Sequence, residues 1–207
     1  MTNRQARPFP WLPVLGGITV IALITVVILT FDSGGGSTAS QFGEPTISGS
    51  LLPRYLDDPA TDSGVGLPTP EVVGADFDGT PVSITHDGRP KMVVFLAHWC
   101  SHCQAEVPVI QAWVNAGGLP DGVDLYSVAT STAETRPNFP PQAWLEREGW
   151  TTPVIVDDTA YSAGDAFGLN AFPYFVFIRA DGTLAGRLTG ELPAELLTQI
   201  AGSLLSG

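Results

Sequence analysis

A buried strand that runs directly into an amphipathic helix is the feature that most limits how this chain can fold. Residues 92–97 (MVVFLA) form a continuous apolar run of strand length, which is typical of a strand covered on both faces. The helix that follows opens near Ser101, and its apolar face recurs at intervals of four, three and four residues at Cys103, Val107, Ile110 and Val114. The sequence therefore predicts a central strand that delivers the chain to a helix start at residues 98–101.

The rest of the chain alternates between strand and helix patterns. Strands are predicted at 123–129, 153–156, 174–178 and 183–188, and helices at 140–148 and from about Pro193 onward. Alternation of strands and helices implies parallel crossovers. Between the last two strands, the Asp181-Gly182 pair is a strong signal for an antiparallel hairpin. We therefore expect an α/β fold with a mixed central sheet flanked by helices.

The N-terminal region contains an apolar segment long enough to cross a membrane. Residues 11–31 carry no charge and would span about 31 Å as a helix, close to the hydrocarbon thickness of a bilayer. Arg4 and Arg7 precede this segment, so the positive-inside rule places the N-terminus in the cytoplasm and exports the rest of the chain. A cleavable signal peptide ending in the small residues 37–40 is the alternative, but its apolar core would be unusually long.

These patterns predict four regions with different roles. They are a cytoplasmic N-terminus (1–10), a single transmembrane anchor (11–31), a flexible linker rich in Gly, Ser and Pro (32–66) and a folded domain (67–207). All 21 acidic residues follow the apolar segment, which leaves the exported part strongly negative. Such a surface should repel nucleic acid, because binding to phosphates requires cationic side chains.

The only two cysteines, Cys100 and Cys103, lie at the predicted junction of strand and helix. Unpaired N–H groups and the helix dipole favour the thiolate of Cys100, which is the nucleophilic form of cysteine. Cys103 falls on the apolar face one turn later and should be less accessible. The pair therefore divides into an attacking and a resolving sulfur, as exchange with the thiols or disulfides of another protein requires.

Two other uses of the cysteines are less favoured. A permanent disulfide would close a very short loop and would stabilise the fold only weakly. His98 and His102 could join the cysteines as zinc or copper ligands, but four ligands within six residues cannot easily surround one ion. We therefore expect neither a metal nor another cofactor.

The motif Trp99-Cys100-Ser101-His102-Cys103, followed by Glu106-Val107-Pro108, resembles the active site of membrane-anchored thioredoxin-like proteins of the TlpA/ResA kind. The segments GTPVSI, TPVIVDD, FGLNAFPYFVFI and ADGTLAGRLTG follow the order found in that family, over about residues 67–205. The resemblance implies a thioredoxin-like fold after one transmembrane helix. It also implies exchange with exported proteins, apocytochrome c among them, and a membrane electron donor or acceptor.

The resemblance also assigns roles to individual residues. Pro173 would be cis beside the disulfide, and the backbone of Phe172, Pro173 and Tyr174 would pair with a substrate strand. Trp99 would shield the disulfide. Glu106 would tune cysteine protonation and assist proton transfer, although an acid on the first turns of a helix can equally be stabilised by the helix dipole alone.

Ser101 and His102, between the cysteines, leave the direction of exchange open. A histidine before the second cysteine resembles strongly oxidising DsbA, whereas the negative charge of Glu106 disfavours a nearby thiolate. Reduction or isomerisation of disulfides is the favoured function, and a DsbA-like thiol oxidase is the alternative. A Sco-like copper chaperone is an alternative of another class, although its cysteines are spaced CxxxC. For His98 we expect a solvated side chain without a catalytic role.

Overall fold

Two sheets organise the computed structural model, which describes residues 40–206. The strands are β1 (Thr46–Ser48), β2 (Glu71–Ala75), β3 (Pro81–Ile84), β4 (Lys91–Leu96), β5 (Asp124–Ala129), β6 (Val154–Val156), β7 (Tyr174–Ile178) and β8 (Leu184–Thr189). The helices are α1 (Ser101–Asn115), α2 (Pro141–Arg147), α3 (Ser162–Ala166) and α4 (Ala194–Leu204), and a short 3-10 helix covers Pro59–Thr61.

The central sheet has five strands in the order β6-β5-β4-β7-β8. Strand β4 pairs parallel with β5 and antiparallel with β7, so the sheet is mixed, as predicted. All six residues of β4 are buried, which explains why the sequence there is a continuous apolar run. Helix α1 begins at Ser101, which confirms the predicted junction of strand and helix.

The two faces of the central sheet carry separate cores because successive side chains of a strand point in opposite directions. On one face, Met92, Val94 and Leu96 pack with the apolar sides of α1 and α4. On the other, Val93 and Phe95 pack against α3 and the segment before β2. The segment with Cys100 and Cys103 therefore follows a strand at the centre of the sheet, where both faces are covered.

Most of the predicted elements are found within one or two residues of their expected positions, including α2, α4 and the β7–β8 hairpin. Helix α3 and the separate sheet of β1, β2 and β3 were not predicted. Helix α3 has only five residues, so it shows no periodicity. The carboxylate of Asp157 accepts hydrogen bonds from the N–H groups of Ala163 and Gly164 and supports the helix start instead.

The prediction of a flexible linker is wrong for residues 40–66, which pack onto the domain. Strand β1 pairs antiparallel with β2, and the side chains of Leu52 and Tyr55 are buried in the second core. Asp62 forms a buried ion pair with Arg187 of β8, in which Arg187 Nε lies 2.8 Å from Asp62 Oδ2. Residues 40–66 lack helical or strand periodicity but are structured, because they contact residues that are distant in the sequence.

The predicted cytoplasmic segment 1–10, the anchor 11–31 and linker residues 32–39 lie outside the described residues. Within residues 40–206, no helix combines the length and apolar character needed to cross a membrane.

Candidate redox-active site

The two cysteines differ in exposure in the way that their sequence positions predict. Cys100 immediately precedes α1 and is partly exposed, and its Sγ lies 3.8 Å from the carbonyl oxygen of Phe172. Cys103 lies in the first turn of α1 with a relative exposure of 0%. Both carry free thiols. A partner sulfur can therefore reach Cys100, whereas Cys103 lies behind it in the core.

Burial strongly raises the pKa of the Cys103 thiol above its ordinary value. A hydrogen bond involving the backbone of Ala97 opposes this effect, while the Cys100 thiol and the Glu106 carboxylate add to it. Cys103 is therefore protonated at neutral pH and needs a base before it can attack.

Glu106 is a buried acid with one unpaired oxygen. Its relative exposure is 1%, Oε2 accepts a hydrogen bond of 3.1 Å from the N–H of Leu192, and Oε1 has no partner. Burial raises the pKa of this carboxyl to about 7, with Glu191 adding to the increase and the Leu192 N–H opposing it. An acid with a pKa near 7 can both accept and donate protons at physiological pH. Burial of this carboxyl does not fit the alternative in which Glu106 is stabilised by the helix dipole alone.

The side chains of Trp99, which directly precedes Cys100, and Phe172 pack against each other. Their rings meet edge to face with centroids 5.9 Å apart, and Trp99 Nε1 donates a hydrogen bond of 2.7 Å to the carbonyl of Ser131. The guanidinium of Arg136 lies over the Trp99 ring at 4.4 Å. These contacts hold the Trp99 ring next to the more exposed sulfur.

The Phe172–Pro173 peptide bond is cis, as the resemblance implies, and Pro173 is buried. Tyr174 follows Pro173 and is the first residue of β7. Its side chain has 0% relative exposure and donates a hydrogen bond of 2.8 Å to the carbonyl of Phe167 in the second core. The Tyr174 side chain therefore points away from the cysteines, because adjacent strand residues alternate faces. The predicted pairing of the backbone at residues 172–174 with a substrate strand does not depend on this side chain and stays a prediction.

The structure also corrects the prediction that His98 is solvated. Its relative exposure is 1%, Nδ1 lies 2.7 Å from the carbonyl oxygen of Pro137, and Nε2 lies 3.1 Å from the N of Ala133. The tautomer with a proton on Nδ1 satisfies both contacts, and burial lowers the pKa of this imidazole. With both nitrogens engaged, His98 is not available as a metal ligand beside Cys100. Instead, it fixes the loop after β5.

Ser101 and His102 face outward on the first turn of α1. His102 has a relative exposure of 67%, and its Nδ1 lies 2.7 Å from Oε1 of Glu191, in the loop between β8 and α4. Sequence reasoning did not find Glu191, because it belongs to no motif and lies 89 residues from its partner.

The loop of residues 190–192 touches three parts of the site. The N–H of Gly190 donates a hydrogen bond of 3.0 Å to the carbonyl of Pro173. The side chain of Glu191 pairs with His102, and the N–H of Leu192 binds Glu106. This 190–192 loop therefore joins the cis-proline, the residue between the cysteines and the buried acid.

Comparison with known proteins identifies a family model and several relatives that are similar to this chain. A family model described as a thioredoxin-like domain matches residues 77–204. The chloroplastic thioredoxin-like protein HCF164 of rice (Oryza sativa subsp. japonica) is 27% identical over 191 residues, which cover 86% of this chain and 62% of that protein. The thiol:disulfide interchange protein HelX of Rhodobacter capsulatus is 26% identical over 138 residues, covering 66% of this chain and 72% of HelX. The chain thus spans less than two thirds of the rice protein.

Among solved structures, a DsbF homologue from Corynebacterium diphtheriae superposes with a TM-score of 0.59 at 18% sequence identity. The match covers 75% of this chain and 99% of that structure, and at this level of identity it supports the fold alone. The family model covers residues 77–204, which is more than half of the chain. This chain belongs to the thioredoxin-like family.

Proposed function

We propose that this protein is a membrane-tethered thiol-disulfide oxidoreductase that exchanges electrons with exported proteins through Cys100 and Cys103. The observation that carries the proposal is a partly exposed thiol at a helix start with a fully buried second thiol one turn behind it. That arrangement suits an attacking and a resolving sulfur. The name of HelX, a thiol:disulfide interchange protein, is consistent with this chemistry.

In the reducing direction, the Cys100 thiolate attacks one sulfur of a partner disulfide. The partner's S–S bond breaks, a mixed disulfide with Cys100 forms, and the other partner sulfur leaves as a thiolate. Cys103 then attacks Cys100 Sγ, which forms the Cys100–Cys103 disulfide and releases the second partner sulfur. The partner gains two electrons and this protein loses two. A membrane electron donor then returns the pair to the dithiol.

Glu106 supplies the base that the second step requires. The proton of the Cys103 thiol is held tightly because the sulfur is buried, and Glu106 lies three residues later on the same face of α1. The unpaired Oε1 can take this proton without breaking a hydrogen bond. During the reverse reaction the same carboxyl would return it.

Reduction or isomerisation is the direction we favour, and apocytochrome c is a candidate target by the family resemblance. A DsbA-like oxidase has one observation in its favour, the histidine before Cys103, but His102 is paired with the acid Glu191. A reduction potential near the thioredoxin value of about −270 mV would support the reductase, and one near the DsbA value of about −120 mV would support the oxidase. A Sco-like copper site is disfavoured because His98 and His102 already have protein partners.

The membrane tether is part of the same proposal and rests on the uncharged segment 11–31, after Arg4 and Arg7. We expect a single-pass protein with its N-terminus in the cytoplasm and its cysteines outside. Protease added to intact cells should then degrade the domain but spare the N-terminus. Recovery of a shortened chain in the culture medium would instead support a cleaved signal peptide.

A trapping experiment tests the central step. In Cys103→Ala, Cys100 should still attack a partner, but the mixed disulfide should persist because no sulfur resolves it. Cys100→Ala is the matched control and should form no adduct, since Cys103 is buried. If wild-type protein cycles while Cys103→Ala yields no adduct on non-reducing gels, the proposed roles of the two sulfurs are wrong.

A further inference from the structure

We propose that Glu191 is a positioning residue that sets the redox balance of the Cys100–Cys103 pair by holding His102 and placing a negative charge beside the cysteines. This inference rests on the proposed function. Its basis is the contact of 2.7 Å between Glu191 Oε1 and His102 Nδ1, at the helix turn that contains both sulfurs.

The position of Glu191 is fixed on both sides by backbone contacts. Gly190, whose φ of 81° suits glycine, donates its N–H to the carbonyl of Pro173 at 3.0 Å. Leu192 donates its N–H to Glu106 at 3.1 Å. The carboxylate between these two anchors is therefore held over the first turn of α1. An exposed glutamate in a free loop would not be restrained in this way.

The negative charge of Glu191 acts on the redox equilibrium of the two cysteines in one direction. A thiolate occurs only in the reduced form of the pair, so a negative charge nearby disfavours that form and makes the disulfide harder to reduce. Replacing Glu191 with glutamine removes one negative charge. The variant should therefore stabilise the reduced form and be more oxidising than the wild type.

Glu191 also acts on the proton carrier of the site. Its charge is one of the causes that raise the pKa of Glu106, after the larger effect of burial. Glu191 thus acts both on Cys100, the attacking sulfur, and on Glu106, the acid proposed to exchange a proton with Cys103. His102 alone would favour oxidation of the partner protein, and the negative charge of Glu191 opposes this effect.

The test is a redox titration of the full-length protein in non-ionic detergent with glutathione buffers at low ionic strength. In this equilibrium, two glutathione thiols are oxidised to one disulfide as the protein disulfide is reduced to two thiols. Interactions between exposed charges are weak and screened, so we expect Glu191→Gln to shift the equilibrium constant about threefold towards the reduced protein, or about 14 mV. Glu191→Lys changes the charge by two and should shift it about tenfold, or about 30 mV.

Glu195→Gln is the matched control, because Glu195 is an exposed acid four residues later that makes no described hydrogen bond with His102 or Glu106. It should leave the constant unchanged. If Glu191→Gln and Glu191→Lys also leave it unchanged while the wild type titrates normally, the role of Glu191 is refuted and the oxidoreductase proposal stands. If the wild type shows no dithiol-disulfide equilibrium, the proposed function fails and this inference fails with it.

Discussion

Replacing Glu106 with glutamine should change the pH dependence of folding stability in a specific way. The carboxyl has an ordinary pKa of 4.5 and a pKa of about 7 in the folded protein, because it is buried. The folded state therefore binds this proton more tightly than the unfolded state. The resulting stabilisation is complete below about pH 4.5 and is lost as the pH rises through about 7. Glutamine has the same shape and cannot titrate, so the loss should disappear in the variant.

The magnitude follows from the two pKa values. An interval of about 2.5 pH units at about 1.36 kcal/mol per unit corresponds to about 3 kcal/mol. Between pH 4.5 and 8.5, the free energy of unfolding of Glu106→Gln should therefore rise by about 3 kcal/mol relative to the wild type. Other titrating groups, such as the buried Asp157, are present in both proteins and cancel in the difference.

Urea denaturation of the reduced domain from Ser40 onward, followed by tryptophan fluorescence at several pH values, measures this difference. Residues 40–206 contain both cores of the sheet, which makes this part of the chain a suitable sample. Glu195→Gln, an exposed substitution of the same type, is the control for the loss of a surface acid. If the difference between Glu106→Gln and the wild type is the same at all pH values, Glu106 does not titrate as a buried acid and its role as a base for Cys103 is refuted.

Three further predictions concern other parts of the domain. Asp62→Asn leaves Arg187 buried without its charged partner and should lower the free energy of unfolding in urea by roughly 3 to 5 kcal/mol; a loss below about 1 kcal/mol would contradict this reasoning. His98 has a lowered pKa in the folded state, so its contribution to stability should be lost as the pH falls below its ordinary value of 6.5, and His98→Asn should weaken that dependence in the same assay. Iodoacetamide at pH 8 should modify Cys100 and spare Cys103 in the folded protein, and a doubly modified species in mass spectra of native protein would show that Cys103 is accessible.

Local patterns predicted the elements that carry the cysteines. The apolar run of β4 and the spacing of apolar residues in α1 are properties of short, continuous segments, and the Asp181-Gly182 turn acts between neighbouring strands. For that reason the mixed sheet, the helix start and the different burial of Cys100 and Cys103 could all be predicted.

Contacts between distant residues could not be predicted in the same way. The segment 40–66 has the composition of a linker, yet Asp62 meets Arg187 125 residues later. His98 is polar and lies next to the motif, but the loop after β5 supplies carbonyl and N–H partners that allow its burial. In each case, burial depends on a partner whose identity no local pattern contains.

Two buried acids of this domain differ in how fully their carboxylate oxygens are hydrogen-bonded. Asp157 accepts hydrogen bonds from the Thr130 hydroxyl and from the N–H groups of three residues near α3, so both of its oxygens are occupied. Glu106 accepts a single N–H, from Leu192, and its second oxygen is unpaired. A buried polar atom without a partner is costly and uncommon, and Oε1 of Glu106 is such an atom in the same helix as Cys103. The proposed proton exchange with Cys103 would use this oxygen, because an oxygen already saturated with hydrogen bonds would have to break one before it could take the proton.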